Sequence, residues 1–195
     1  MRTATLTRTT KETDITMSLT LDKIGKGGLT GTSGIGFFDH MLNSFCVHGG
    51  FTVELKMTGD IHVDGHHSVE DVGIVLGKLF AEILGDRGGI RRFGSCFLPM
   101  DEALAFCAVD ISGRPYLHYD VPVTVPSVGD YDAQLTEEFM RALAFNAGIT
   151  LHQHCEYGSN AHHITEALFK SMGLAMKEAL RVEGNTVVST KGVLV

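Results

Sequence analysis

The sequence predicts an α+β fold made of two similar halves, each with a mostly antiparallel sheet and two helices on one face of that sheet. Three observations lead to this prediction: a segment recurs in the two halves, strand-like segments open each half, and amphipathic helical segments follow them. A chain of 195 residues is long enough to bury its own core. We expect residues 1–92 to form the first half and residues 93–195 the second, joined in one compact domain.

The repeat is clearest in residues 65–84 and 161–180, which align without a gap at an offset of 96 positions. Each copy carries two consecutive histidines, a glutamate and a glycine at matching places: His66, His67, Glu70 and Gly77, and His162, His163, Glu166 and Gly173. Upstream, residues 37–53 align with residues 135–151, and this alignment places His40 opposite Glu138. The order of helix, strand and helix is therefore duplicated.

The individual elements follow from the periodicity of apolar residues. Residues 3–10 and 14–22, and parts of 96–121, are rich in Thr or alternate in polarity, as half-buried strands do. Glycine clusters at 25–36 and 85–89 supply turns. Four segments have the length and the wide apolar face of helices: 37–47, 67–84, 135–147 and 162–182.

Composition and charge exclude several classes of protein. A net charge of −7 argues against a general nucleic-acid binder, whose footprint would be basic. No apolar run approaches the roughly 18 residues of a membrane span, and the first residues lack the apolar stretch of a signal peptide. We therefore expect a cytoplasmic protein that binds neither nucleic acid nor membranes. The four cysteines lie far apart in the sequence, so any metal ligands should be nitrogen and oxygen atoms.

The doubled H-H-x-x-E motif predicts metal sites. In each copy the glutamate follows the first histidine by four positions and the second by three, so on a helix it lies on the same side as both. The two adjacent histidines point about 100° apart around the helix and can therefore bind two different ions. Imidazole and carboxylate ligands fit Mn, Fe or Zn, which the sequence does not rank. With the two aligned upstream positions, the candidate ligands are His40, His66, His67, Glu70, Glu138, His162, His163 and Glu166.

Further motifs extend over essentially the whole chain: RTTKETDI (8–15), GFFDHML (36–42), DGHHSVEDVGI (64–74), RRFG (91–94), MDEAL (100–104), DISGRPYL (110–117), NAHHITEALFK (160–170) and STKGVL (189–194). Together with the doubled histidine motif, they resemble the imidazoleglycerol-phosphate dehydratase family of histidine biosynthesis. The resemblance implies a fold like that of ribosomal protein S5 domain 2. It also implies a hydro-lyase that converts imidazole glycerol phosphate to imidazole acetol phosphate.

For the active site, the resemblance implies two Mn²⁺ ions that bind the substrate imidazole as imidazolate, and a homo-oligomer of 24 subunits with sites shared between subunits. Glu12 is the expected base, with Glu70 and Glu166 as rivals. Asp101 and Glu102, which are acidic and near apolar sequence, are minor candidates for a role in the site. One departure concerns Glu138, which stands where many members have a ligating histidine, so the ligand there is open. The substrate-binding residues implied by the family are Glu12, His40, His48, Arg92, Arg114, Lys170, Ser189 and Lys191. Five of them correspond to the family's phosphate binders: Arg92, Arg114, Lys170, Ser189 and Lys191.

Two alternatives remain at the level of the residues alone. A two-metal hydrolase would hold a bridging water where the dehydratase holds the substrate ring. A metal-storage protein would use the histidines without any need for Arg92, Arg114 or the terminal S-T-K-G. His48 lies at the end of the helix that carries His40. Its simpler interpretation is a structural one, in which the side chain interacts favourably with the dipole at the helix C-terminus.

Overall fold

The computed structural model of the protein describes residues 1–22, 25, 27–122, 124–192 and 194. Lys26 in the first glycine cluster and Val193 in the last motif lie outside the described residues. Among the described residues, no helix is long and apolar enough to cross a membrane. The strands are β1 (Arg2–Thr9), β2 (Thr13–Leu21), β3 (Gly28–Thr32), β4 (Thr52–Gly59), β5 (Phe93–Met100), β6 (Ala103–Asp110), β7 (Tyr116–Asp120), β8 (Ser127–Val128), β9 (Tyr131–Asp132) and β10 (Thr150–Tyr157). The helices are α1 (Gly36–Gly49), α2 (His66–Leu84), α3 (Leu135–Ala147) and α4 (Ala161–Ala179).

The two halves have the same topology, which confirms the predicted duplication. The first sheet has the strand order β1-β2-β4-β3, and the second has β5-β6-β10-β7. In each sheet the first three strands pair antiparallel, and the last strand pairs parallel to its neighbour. The predicted mostly antiparallel α+β fold is therefore correct. The division of the chain at residues 92 and 93 stays a prediction.

The first sheet shows why its strands form where the sequence alternates. In β2, Ile15, Met17, Leu19 and Leu21 point inward and are buried. The opposite face carries hydroxyl groups that pair across β1 and β2, as Thr5 does with Ser18 at 2.8 Å. Burial of one apolar face stabilises the sheet, and the polar face stays in water.

The four helices pack between the two sheets, and each half contributes two of them. Helix α1 packs on α4 and α2 packs on α3, so each of these two close helix pairs joins different halves. The repeated glycines Gly77 and Gly173 lie at these two contacts. A Cβ atom on Gly77 would lie 2.6 Å from the carbonyl oxygen of Leu143, and one on Gly173 would lie 2.6 Å from that of Phe45. Each glycine therefore allows the close approach that brings residues of the two halves together.

The ends of α1 are fixed by its neighbours. Its last residue is followed by Gly50, which adopts a left-handed conformation (φ 72°), and this ends the helix without the steric cost of a side chain. At its start, Ile35 offers no capping side chain. Asp130, from the loop between β8 and β9, accepts the backbone N–H groups of Gly36 at 2.9 Å and Phe37 at 3.3 Å. The second half thereby anchors the helix that carries His40.

Candidate functional site

The contact between α1 and α4 brings three predicted ligands together. His40 lies on α1, and His162 and Glu166 lie on the first turns of α4. One ligand atom from each lies within 4.8 Å of the others, and Nε2 of His162 is 3.2 Å from the Glu166 carboxylate. Two imidazoles and a carboxylate are donors that a divalent transition metal accepts. The chemistry and spacing of this cluster therefore fit a metal ion.

The carboxylate of Glu166 is the buried member of this cluster, with 6% of the residue exposed. Its Oε1 atom lies 2.9 Å from Nζ of Lys170, and it accepts a long hydrogen bond of 3.4 Å from the Ser44 hydroxyl. Burial by itself would raise the pKa of Glu166, but the hydrogen bond and charge of Lys170, with His40 and His162, outweigh it and lower the pKa. Glu166 is therefore held as a carboxylate.

The start of α4 fixes the positions of both its histidines. Asn160 caps the helix, since its side-chain oxygen accepts the backbone N–H of His162 at 2.9 Å and of His163 at 3.4 Å. The rings of Phe37 and His162 pack in a T-shaped arrangement, with 5.1 Å between their centroids. The spacing of four residues then aligns His162, Glu166 and Lys170 along one face of the helix.

The corresponding residues of the other helix pair are arranged less closely. His66 and Glu138 line one cavity of about 360 Å³ between α2 and α3. Among the described residues, neither Glu70 nor Glu138 forms an ion pair, and the cluster on α1 and α4 is the one group of three close metal-competent side chains. A second ligand set of His66, Glu70 and Glu138 stays a prediction.

The two histidines of each motif have different neighbours, as expected for adjacent residues on a helix. The rings of His66 and His67 are nearly perpendicular, at 86°, and those of His162 and His163 at 78°. His67 and His163 have carboxylate partners of their own, Asp60 and Glu102 respectively.

These carboxylates change the protonation of their partners. Hydrogen bonds raise the pKa of His67, through Asp60, and the pKa of His163, through Glu102. In return, the bond to His163 and the backbone N–H of Asn160 lower the pKa of Glu102 to about 2. Asp60 was not expected in the site, and Glu102 was only a minor candidate. The acidic hairpin residues next to apolar strands were the available signal for Glu102, whereas the sequence carried none for Asp60.

Four of the residues expected to bind the substrate phosphate line a single cavity. It has a volume of about 590 Å³, and Arg92, Arg114, Ser189 and Lys191 lie on its wall. Arg92 donates two hydrogen bonds to Asp110, at 2.7 and 3.1 Å, which fix its guanidinium group. The Arg114 side chain is 59% exposed, and its nearest carboxylate oxygen is 3.9 Å away.

The other expected substrate-binding residues lie elsewhere. Lys170 contacts Glu166 rather than the cavity of Arg92. His48 hydrogen-bonds through Nδ1 to the carbonyl of Ser44 at 2.8 Å, one turn earlier in α1. Glu12, in the hairpin between β1 and β2, lies 3.8 Å from Nε2 of His67. The structure thus places Glu12 beside one candidate ligand and leaves its catalytic role a prediction.

Comparison with known proteins gives one consistent result. A family model described as imidazoleglycerol-phosphate dehydratase matches residues 33–176. The chain is 52% identical to imidazoleglycerol-phosphate dehydratase of Acetivibrio thermocellus over 193 residues, covering 97% of each protein, and 54% identical to that of Alkaliphilus metalliredigens over 191 residues, covering 96% of each.

Solved structures agree with these relatives. The crystal structure of imidazoleglycerol-phosphate dehydratase from Staphylococcus aureus superimposes with a TM-score of 0.83 at 37% identity, covering 92% of this chain and 99% of that one. The enzyme from Pyrococcus furiosus, in complex with (S)-C348, gives a TM-score of 0.82 at 39% identity, covering 97% and 100%. The similarity therefore extends over both halves of the chain.

Proposed function

Because this chain belongs to the imidazoleglycerol-phosphate dehydratase family, we propose that His40, His162 and Glu166 form a metal site of its active centre. The protein is a hydro-lyase of histidine biosynthesis, which dehydrates imidazole glycerol phosphate to imidazole acetol phosphate. The observation that carries the proposal is the approach of these three ligand atoms to within 4.8 Å, across two helices from different halves. A storage protein or a two-metal hydrolase has no such support from the family.

The proposed metal is Mn²⁺, with two ions in each active site. The second ion would bind His66, Glu70 and Glu138. In this second set, the carboxylate of Glu138 takes the position that the imidazole of His40 has in the first. Manganese accepts oxygen ligands readily, so Glu138 fits as a ligand. An octahedral ion needs more than the three donors of the first cluster. His67 and His163 are available for sites shared between subunits of a homo-oligomer, for which we propose 24 copies.

A metal held by His40, His162 and Glu166 would supply positive charge that stabilises an anionic substrate imidazole, and the proton that the ring gives up would leave with the C3 hydroxyl as water. The chain itself must then remove the proton from C2, and Glu12 is the proposed base. Glu166 is the weaker candidate because its lowered pKa makes it a poorer proton acceptor. Glu70 is proposed as a ligand, and its rival role as base would compete with metal binding. Glu12 lies in the hairpin loop between β1 and β2, and its carboxylate is 3.8 Å from Nε2 of His67, a proposed metal ligand.

The proposed phosphate site is the cavity lined by Arg92, Arg114, Ser189 and Lys191. A guanidinium group binds two phosphate oxygens at once, and Asp110 holds that of Arg92 in a fixed orientation. Lys170 and His48 remain proposed substrate contacts, although in a single chain each is engaged with another group. We also propose a cytoplasmic location, in keeping with a small phosphorylated substrate.

The direct test begins with protein that has been stripped of metal and then reloaded with Mn²⁺. Incubation with imidazole glycerol phosphate should form the enolisable ketone, and omission of Mn²⁺ should abolish it. His162→Gln should lose most Mn²⁺-dependent activity. His154→Gln is the matched control, because His154 bonds Glu156 on the outer face of the second sheet. Absence of product with assembled, Mn²⁺-loaded protein would refute the proposal.

A further inference from the structure

We propose that Asp60 and Glu102 are positioning residues that fix the ring tautomers of His67 and His163, leaving Nε2 of each ring as the metal-binding atom. This inference rests on the proposed metal role of the two histidines. Nδ1 of His67 lies 3.0 Å from Oδ2 of Asp60, and Nδ1 of His163 lies 2.7 Å from Oε2 of Glu102. The same contact thus occurs once in each half of the protein.

The chemistry of the contact determines the tautomer. An ionised carboxylate can only accept a hydrogen bond, so the proton of a neutral ring must lie on Nδ1. The lone pair is then on Nε2, which is the form that binds a metal. A hydrogen bond to a carboxylate also makes Nε2 a better electron-pair donor to a metal and fixes the orientation of the ring.

The Glu102 carboxylate is itself fixed on its other side. Its Oε1 atom accepts the backbone N–H of Asn160 at 2.7 Å and of Ser159 at 3.2 Å, in the loop before α4. Oε2 is thereby directed at His163, because the other oxygen is already bound. The position of Glu102 therefore couples the ring of His163 to the start of the helix that carries it.

Asp60 lacks this second anchor. Its Oδ1 atom is buried and has no hydrogen-bond partner among the described residues, while Oδ2 bonds His67. An amide at this position could turn its oxygen toward Nδ1 of His67 without losing another bond. The two carboxylates should therefore respond differently to the same isosteric change.

Glu102 and Glu12 occupy matching positions in the hairpins of the two halves, but they contact different nitrogen atoms of their histidines. Glu12 and Glu102 are each the residue immediately before the second strand of their hairpin, β2 and β6. In the second half, the hairpin glutamate takes Nδ1 of His163. In the first half, Asp60 contacts Nδ1 of His67, and Glu12 lies 3.8 Å from Nε2 of the same ring. The glutamate before the second strand therefore contacts Nδ1 of the histidine in the second half and approaches Nε2 in the first, while Asp101 lies 3.5 Å from Nε2 of His163.

The tautomers can be read in metal-free full-length protein labelled with ¹⁵N-histidine, by magic-angle-spinning NMR. At a pH high enough to keep both rings neutral, wild-type His67 and His163 should each carry the proton on Nδ1. In Glu102→Gln, the amide oxygen should stay with the backbone N–H groups, and the amide NH₂ should then face Nδ1 and move the proton of His163 to Nε2. Asp60→Asn should leave the tautomer of His67 unchanged. The variants His67→Gln and His163→Gln assign the signals.

The effect on the metal can be measured by calorimetric titration of the same proteins with Mn²⁺ alone. Glu102→Gln should weaken binding by about 10- to 100-fold, the usual range for loss of such a partner. Asp60→Asn should bind nearly as tightly as wild type. Glu156→Gln is the matched control, because Glu156 bonds His154 at 2.7 Å outside the site.

The outcomes separate this inference from the proposed function. If wild type itself binds no Mn²⁺, the proposed metal site is wrong, whichever tautomers the histidines have. If wild type binds Mn²⁺ and Glu102→Gln keeps both its His163 tautomer and its affinity, the positioning role is overturned. Glu102→Ala provides a second variant, which leaves Nδ1 without a carboxylate. It should give mixed tautomers and an intermediate loss of affinity, and an unchanged tautomer would also contradict the inference.

Discussion

The Nζ atom of Lys170 lies 2.9 Å from Oε1 of Glu166, so the buried carboxylate of the metal cluster already has a positive partner within its own helix. The first half lacks this arrangement, because Ile74 occupies the matching position one turn after Glu70. Ser44, which also bonds Glu166, aligns with Ala142. The duplicated sites have therefore acquired different surroundings for the same carboxylate.

Removal of the Lys170 charge should make stability depend more strongly on metal. In metal-free Lys170→Met, the buried Glu166 carboxylate loses its partner, which should lower the free energy of unfolding by up to about 3 kcal/mol. Added Mn²⁺ would neutralise the same carboxylate and restore stability. The Tm should therefore rise more on Mn²⁺ addition in the variant than in wild type. Lys177→Met, on the exposed side of the same helix, is the control, and an equal rise in wild type and Lys170→Met would contradict this account.

Glu12→Gln should abolish turnover while leaving the metal content unchanged. The substitution keeps the size of the side chain and removes its capacity to accept the C2 proton. Loss of a general base typically costs about 10²- to 10⁴-fold in rate. The measurements are kcat with imidazole glycerol phosphate and bound Mn²⁺ by elemental analysis. Glu54→Gln, on the polar face of the same sheet, serves as control. Loss of metal in Glu12→Gln would instead make Glu12 a ligand.

Arg114→Ala should weaken substrate binding more than it slows the chemical step. A hydrogen bond to a charged group contributes about 1.5–3 kcal/mol, which corresponds to a rise in KM of roughly 10- to 150-fold. Competitive inhibition by inorganic phosphate should weaken in parallel. Arg141→Ala is the matched control, because Arg141 pairs with Glu137 on α3, outside the cavity. An unchanged KM would remove Arg114 from the phosphate site.

Asp130→Asn should destabilise the fold at neutral pH but not in acid. The backbone N–H groups of Gly36 and Phe37 lower the pKa of Asp130 in the folded protein. Its stabilising effect is therefore present above the unfolded pKa of about 4 and is lost as the pH falls through the lower folded pKa. We expect a loss of about 1 kcal/mol at pH 7, typical of a helix cap. Urea unfolding of wild type and Asp130→Asn between pH 7 and pH 3 measures the difference in their free energies of unfolding, with Asp120→Asn as control. A pH-independent difference between wild type and Asp130→Asn would contradict the charge argument.

Gly77→Ala should disturb the contact between α2 and α3. The new Cβ would lie 2.6 Å from the Leu143 carbonyl oxygen and 2.8 Å from Cβ of Asn146, so the helices must move apart. Overpacking costs about 1–3 kcal/mol, and the higher helix propensity of alanine offsets up to about 1 kcal/mol of it. Thermal unfolding should show a lower Tm. Gly184→Ala, which has no atom within 4 Å of the added carbon, should leave Tm nearly unchanged. An unaltered Tm in Gly77→Ala would show that the helices adjust freely.

Much of the fold could be predicted because it depends on local patterns. The apolar face of each helix and the alternation in β2 are properties of neighbouring residues, and all four helices begin within one residue of their expected starts. The predicted end of the last helix at residue 182 was too late, since α4 ends at Ala179 and its cap is Leu180. After that end the chain pairs with the segment that precedes β5, since Ile90 forms a bridge with Val182 and the N–H of Arg91 donates to the carbonyl of Arg181, and helical periodicity does not encode this contact.

The sequence by itself determined the duplication, the H-H-x-x-E motifs and the family resemblance, because each is a matter of residue identity and spacing. The tertiary structure alone decided which residues meet. His40 and Glu166 are 126 positions apart in the chain and come within 3.7 Å because α1 of one half packs on α4 of the other. Asp60 and Glu102 orient equivalent histidines from loops that do not align in the repeat. Such contacts depend on helix packing and loop geometry, and no local pattern of residues specifies them.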